Sequence, residues 1–161
     1  MAQAARSLCI GTRKGLFVAA RTGAGWRIGP PRFAGEPVTQ FAAEPDGGAW
    51  YAALRLGHFG IKLRKSQDGG ASWQEVAAPA FPPRPEDSPG NADPTPWTVD
   101  LLWGLEAGPD RLWAGCLPAG LFTSTDGAAS WQLVESLWQR PERKEWFGGG
   151  YDHAGIHSIL V

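Results

Sequence analysis

Near its C-terminal end the chain carries Tyr151, Asp152, His153 and His157 within seven residues. Two histidines four apart would share one face of a helix and suit a metal ion. On a strand, and across the break at Gly155, the same spacing separates them, so neither a metal site nor a cofactor is expected. No glycine-rich phosphate loop follows a strand and opens a helix, and no nucleophile elbow is present. What these residues offer is recognition by hydrogen bonds and charge, provided that the fold brings them to Arg13, Thr39, Arg55, His58 and Asp100. His58 would equally serve a hydrogen bond within its own hairpin, and Asp100 could satisfy backbone groups of a neighbouring strand.

The elements available to position them are short strands. Three strand triplets can be laid over one another: Leu8–Gly11 with Leu16–Ala19 and Trp26; Trp50–Ala53 with Ile61–Arg64 and Trp73; Leu112–Gly115 with Leu121–Thr123 and Trp131. The second and third triplets end in the same frame, Ser66-Gln67-Asp68-Gly69-Gly70-Ala71-Ser72-Trp73 and Ser124-Thr125-Asp126-Gly127-Ala128-Ala129-Ser130-Trp131. In such a turn Asp caps backbone N–H groups, Gly takes positive φ, and Trp supplies an apolar anchor. The first triplet keeps Gly23 and Trp26 in register but has Ala19 and Arg21 for Ser and Asp.

Ser66, Asp68, Gly70 and Trp73 match the Ser-x-Asp-x-Gly-x-x-Trp form of the Asp box, or BNR repeat, in full. Ser124, Asp126 and Trp131 match it with Ala128 in the glycine's place. The chain thus resembles sialidase-like BNR-repeat β-propellers, and over residues 8–161 it is similar to the N-terminal half of uncharacterised bacterial proteins of exo-sialidase-like type. The resemblance implies an all-β fold of four-stranded antiparallel blades, present here as an incomplete ring of about two and a half blades. The expected units are about 8–33, 36–78 and 97–134, with the first strand of a further blade at 155–161, all in one partial domain. Val38–Phe41 and Val99–Leu102 are the expected innermost strands. Aligned on Phe41, Leu102 and Ile159, they make Thr39, Asp100 and His157 equivalent positions near the axis. The chain stops on the apolar run Ile156–Val161, which implies a fragment whose remaining blades come from a missing C-terminal half.

In a propeller blade, alternate turns share a face. Asp68 and Asp126 fall on one face, with short neighbours that look like scaffold. The long crossovers, 79–97 and 135–155 above all, fall on the other with Arg13, Arg55 and His58, and long loops on a rigid frame are where binding residues sit. Trp97, Trp103, Trp138 and Trp146 could stack there on sugars or against a protein, or else pack between blades. The expected function is a scaffold that binds a carbohydrate or protein ligand on the crossover face. The alternative implied by the resemblance is an exo-glycosidase. Arg13 and Arg55 would then hold a substrate carboxylate, Asp100 or Asp152 would protonate the leaving group, and Tyr51 or Tyr151, paired with a glutamate, would act as nucleophile.

Composition narrows the partners. A net charge of −1 over 161 residues, with basic residues scattered and the Arg140–Lys144 cluster broken by Pro141 and Glu142, leaves no footprint for nucleic acid. No stretch approaches the ~20 apolar residues of a membrane span, and residues 1–6 show no signal-peptide core, so a cytoplasmic protein is expected. Cys9 and Cys116 lie in strand-like runs and suit small buried positions in a reducing compartment. High Gly, Pro and Trp counts (22, 14 and 9) fit many turns and little helix, with one short helix expected around Glu135–Arg140.

Overall fold

Apolar runs of four to eight residues, punctuated by Gly, Asp and Pro, fold as strands in the computed structural model, which describes residues 7–84 and 95–161. Ten residues of the 79–97 crossover, 85–94, therefore lie outside the described residues, with Pro85, Pro89 and Pro94 among them. Among the described residues the strands form three antiparallel sheets. The first holds β1 (Ser7–Thr12), β2 (Gly15–Thr22) and β3 (Gly25–Ile28) in that order. The second holds β4 (Val38–Ala43), β5 (Trp50–Arg55), β6 (Ile61–Ser66) and β7 (Gln74–Val76). The third holds β8 (Leu101–Ala107), β9 (Leu112–Leu117), β10 (Leu121–Ser124) and β11 (Gln132–Leu133). Helix α1 (Glu135–Trp138) is a single turn, followed by a 3-10 turn over Pro141–Glu145.

The sheets stack face to face, β4 against β8 and β1 against β4. Between the second and third sheets Tyr51, Leu63, Leu102, Leu105, Leu112, Cys116 and Phe122 form the main core. Leu16, Val38, Ala52 and Leu54 fill the gap between the first and second. Each fully buried Leu or Phe contributes about 1.5–3 kcal/mol. Small residues in β5 and β9, Ala52, Ala53, Ala114 and Gly115, let neighbouring backbones come close. At Gly115 a Cβ would stand 2.6 Å from the Ile156 carbonyl oxygen.

The Ser-x-Asp turns join β6 to β7 and β10 to β11, and their geometry is the same. Ser66 Oγ donates to Asp68 (2.8 Å) and accepts the Gly70 N–H (2.8 Å), while Asp68 accepts the Ser72 N–H (2.8 Å). Ser124, Asp126, Ala128 and Ser130 repeat this at 2.8, 3.0 and 2.9 Å. Hydroxyl and backbone donors hold the Asp68 and Asp126 carboxyls down at about 2, with the Ser72 and Ser130 hydroxyls the largest influence on each. The turn needs positive φ at two positions, taken by Gly69 (66°) and Gly70 (85°) and by Gly127 (68°) and Ala128 (69°). Ala128 is thus a non-glycine held in the left-handed region. Each turn is also tied to the preceding sheet or its crossover. Arg32 Nε donates to Gly70 O (2.9 Å), Lys65 Nζ to Gly127 O (3.1 Å), and Trp131 Nε1 to Ala77 O (2.8 Å).

Strand pairing puts the three sheets in one register. Leu8 stands opposite Ala19, Trp50 opposite Ser66 and Leu112 opposite Ser124. Hence β1, β5 and β9 are equivalent second strands. One sequence expectation is corrected here. Phe41 pairs with Ala52 and Leu105 with Ala114, so Phe41 matches Leu105 rather than Leu102, and Thr39 matches Trp103 rather than Asp100. Both inner strands carry a bulge at that level, between Val38 and Gln40 and between Leu102 and Gly104. The matching bulges leave the alignment of the two strands unchanged; a β8 drawn from Val99 by apolar pattern alone is what displaces it, because Leu102, opposite Cys116, is the counterpart of Val38, opposite Leu54. Residues 155–161 run extended across the outward side of β8 and β9. The Ile156 N–H donates to Cys116 O (3.1 Å), and Ile159 covers Gly104.

Candidate ligand-binding groove

The β1–β2 turn, the β5–β6 turn and the crossovers emerge on one side of the stack. From the β5–β6 turn, Arg55 reaches Asp100, the residue before β8, with Nη2 at 2.8 Å from both carboxylate oxygens. The pair is partly open to solvent, its side chains 42% and 52% exposed. His58 sits in the 3-10 turn Gly57–Phe59 with its ring 3.9 Å from that of Phe59.

Trp103 owes its position to the bulge in β8, which is fixed by a 2.7 Å hydrogen bond from Gln40 Nε2 to its carbonyl. Its indole meets Tyr151 edge to face (5.1 Å) and lies 5.6 Å from His157, whose Nδ1 is 2.8 Å from Ser158 Oγ. These rings form an aromatic platform at the innermost strands.

Three connected depressions surround the platform, and Tyr151 borders all of them. One of about 800 Å3 takes in Arg13, Thr39, Arg55, Asp100 and Trp103. A second of about 500 Å3 adds His58, Asp152 and His153. The third, about 550 Å3, runs past Gln40 and His157 to the glycine run Gly148–Gly150. Volumes of this size suit small ligands or a short stretch of a polymer.

Nine residues expected to recognise a ligand therefore border one continuous groove: Arg13, Thr39, Arg55, His58, Asp100, Tyr151, Asp152, His153 and His157. Trp97 does not join them. It packs 6.3 Å from Phe81 and 5.7 Å from Trp138 in an aromatic cluster outside the groove, where Arg143 stacks on Trp138 at 3.7 Å and is itself buried. Burying these three rings and a guanidinium stem removes more apolar surface from water than exposing one indole would gain in contact. Asp100 forms an ion pair rather than satisfying strand backbone with its side chain.

Tyr51 is also misplaced by the sequence reading. It is paired with a glutamate, its hydroxyl donating to Glu44 Oε1 (2.9 Å), but it is fully buried on the opposite side of the stack. Burial and the Glu44 carboxylate push its phenol well above the usual range, the reverse of what a nucleophile requires. That opposite side bears the Ser124–Gly127 turn beside Glu44–Asp46 and Gly108–Arg111, around a cleft of about 230 Å3.

Gln40 and Gly148–Gly150 were not singled out from sequence. A polar residue inside an inner strand was the available signal for Gln40; nothing local marks the glycines. Among the described residues no group of three or more His, Cys, Asp or Glu side chains converges as metal ligands, and no helix is long and apolar enough to cross a membrane.

Antiparallel sheets of three and four strands, stacked face to face with the crossovers gathered on one side, define an incomplete β-propeller. Solved propellers share this arrangement. YCF48 bound to D1 peptide is 14% identical with a TM-score of 0.50, the match covering 80% of this chain and 36% of that one. A GH74 xyloglucanase from Xanthomonas campestris is 16% identical with a TM-score of 0.53, the match covering 83% of this chain and 19% of that one. The chain thus spans about a third and a fifth of their lengths, and at these identities the likeness establishes the fold. No family model and no curated protein sequence matches the chain.

Proposed function

We infer that this chain is part of a ligand-binding β-propeller of the Asp-box type and that its ligand lies on the crossover face, across Tyr151. The observation that carries this is the aromatic platform Trp103–Tyr151–His157 set beside the Arg55–Asp100 ion pair in one groove. A flat apolar surface next to fixed charges suits the face of a sugar ring or the side chains of an extended peptide. Of the two solved neighbours, one is bound to a peptide and the other is a xyloglucanase by name. The Ser66–Asp68 and Ser124–Asp126 turns act as fasteners in this reading, being committed to their own backbones on the other side.

The test is a glycan array and a peptide array probed with the chain, followed by titration of any hit against Tyr151→Ala and Arg55→Ala. Both variants should weaken binding at least tenfold. A hit indifferent to both, or two empty arrays, overturns the reading.

A second reading, an exo-glycosidase, draws on the presence of Arg13, Arg55, Asp100, Asp152 and Tyr151 around the same groove. Release of fluorophore from a fluorogenic sialoside, abolished by Asp152→Asn or Tyr151→Phe, would support it. No release above buffer would remove it.

A further inference from the structure

The sequence contains three histidines, and all three border the groove. His58 lies in the depression of about 500 Å3, His157 in that of about 550 Å3, and His153 in both. His58 and His157 are exposed and His153 is half-buried, so each can exchange a proton with water.

The fixed charges around them cancel. Across the three depressions the described residues supply Arg13 and Arg55 against Asp100 and Asp152. Arg55 is engaged by Asp100, whereas Arg13 has no ion-pair partner among the described residues. His58 and His153 share their depression with Arg55, Asp100 and Asp152. His157 shares its own with His153 and the Tyr151 phenol, under the Trp103 indole. The Ser158 hydroxyl, 2.8 Å from His157 Nδ1, serves the neutral ring as donor and the charged ring as acceptor. With its imidazoles neutral the groove therefore carries no formal net charge. Imidazoles ordinarily gain their proton between about pH 8 and 5, and each one that does adds a positive charge here.

These charges are spread along the groove: Arg13 in the first depression, His58 and His153 in the second, His153 and His157 in the third. A single anionic group would meet one or two of them, whereas a ligand with negative charge repeated along its length would meet them all. The Trp103–Tyr151 rings at the centre suit the apolar face of a pyranose. We propose that the groove binds a stretch of acidic polysaccharide, with His58, His153 and His157 setting its preference for negative charge and tightening the hold as they protonate. The proposal rests on the crossover-face reading and gives it a ligand class. Its sign is fixed by linkage. A ligand that prefers the imidazolium binds more tightly as pH falls through the histidine range, and in return raises the titration midpoint of each imidazole it touches. Carboxylates, which ordinarily titrate at about 4, stay ionised through that range.

The test is calorimetric titration of the chain with short oligomers of galacturonate, mannuronate and chondroitin sulfate, with an uncharged cello-oligosaccharide and poly-glutamate as comparisons. One or more acidic oligomers should bind at least tenfold more tightly at about pH 5.5 than at about pH 7.5, three solvated charge contacts being worth roughly that much. The triple variant His58→Gln, His153→Gln, His157→Gln should keep the affinity seen at the higher pH and lose the gain in acid. The three imidazole signals in the NMR spectrum of the native chain should each show a raised midpoint in the complex. Affinity that is flat with pH, a gain in acid that survives the triple variant, an equal gain for the uncharged oligomer, or midpoints that do not move each overturns the proposal. Poly-glutamate binding more tightly than every acidic oligomer overturns the choice of polysaccharide. If none of the acidic oligomers binds while an array hit still depends on Tyr151, this proposal falls and the groove reading stands.

Discussion

Arg55 and Asp100 link the second sheet to the segment entering the third, with one guanidinium nitrogen 2.8 Å from both carboxylate oxygens. Partly solvated pairs of this kind contribute about 0.2–1 kcal/mol to stability. The larger effect of this pair is positional, since it ties the end of β5, next to the turn carrying His58, to the segment entering β8. Arg55→Ala should therefore leave the urea midpoint nearly unchanged while weakening any groove ligand at least tenfold. A variant that unfolds early, with unaltered affinity for its remaining folded fraction, would contradict this.

The turn carboxyls make stability depend on acidity. Asp68 and Asp126 titrate at about 2 in the folded chain, below the ~3.9 of an unfolded aspartate. A depressed folded value means stabilisation that is complete above about pH 4 and is lost as pH falls towards 2. The thermal midpoint of the native chain should fall across that window. Asp68→Asn with Asp126→Asn should start lower at pH 7 and show a shallower fall, followed by circular dichroism melts at successive pH values.

The two turns differ at one informative position. Ala128 holds φ 69° and is fully buried, while its counterpart Gly70 has φ 85° with space for a Cβ only 3.0 Å from the Trp50 ring. Ala128→Gly relieves about 1–2 kcal/mol of left-handed strain and forfeits about 0.8 kcal/mol of methyl burial, a net gain of about 0.2–1.2 kcal/mol. Gly70→Ala acquires the strain and a collision with the indole, and should lose about 1–3 kcal/mol. Urea unfolding of both variants reads the asymmetry.

Thiol reactivity should separate the cysteines. Cys116 is fully buried, points its sulfur at Pro118 O (2.9 Å), and has its thiol pushed up to about 12 by desolvation. Cys9 is half-buried and raised by the same cause. At pH 8 an aromatic disulfide reagent should modify Cys9 first, and Cys116 only on unfolding.

How much of this could be seen in the chain itself depends on how local the physics is. The turns at Ser66–Trp73 and Ser124–Trp131 are closed by bonds spanning four residues or fewer, so their residue types are a sufficient signal, and the hairpin registers built on them follow. The groove was legible through parity, because a loop's side of the sheet depends only on strand order. Side-chain partners across sheets were not. Trp97 is drawn into a cluster with Phe81 and Trp138, from segments about 16 and 41 residues away in sequence, and Tyr51 is held by Glu44 across a hairpin. The slip from Trp103 to Asp100 came from starting the inner strand at Val99, an apolar residue ahead of β8, whereas Leu102 is the counterpart of Val38.

The loss of Ser and Asp from the first triplet, where Ala19 and Arg21 stand instead, leaves the hairpin at Thr22–Gly25 with one side-chain bond, Thr22 Oγ1 to Gly25 O at 3.2 Å. With neither a serine–aspartate clasp nor an indole tethered to a neighbouring sheet, β3 is the least anchored outer strand described. Thermal breathing should begin there, so that its amides exchange with solvent well before those of β6 and β10, and the stack frays from that rim inward.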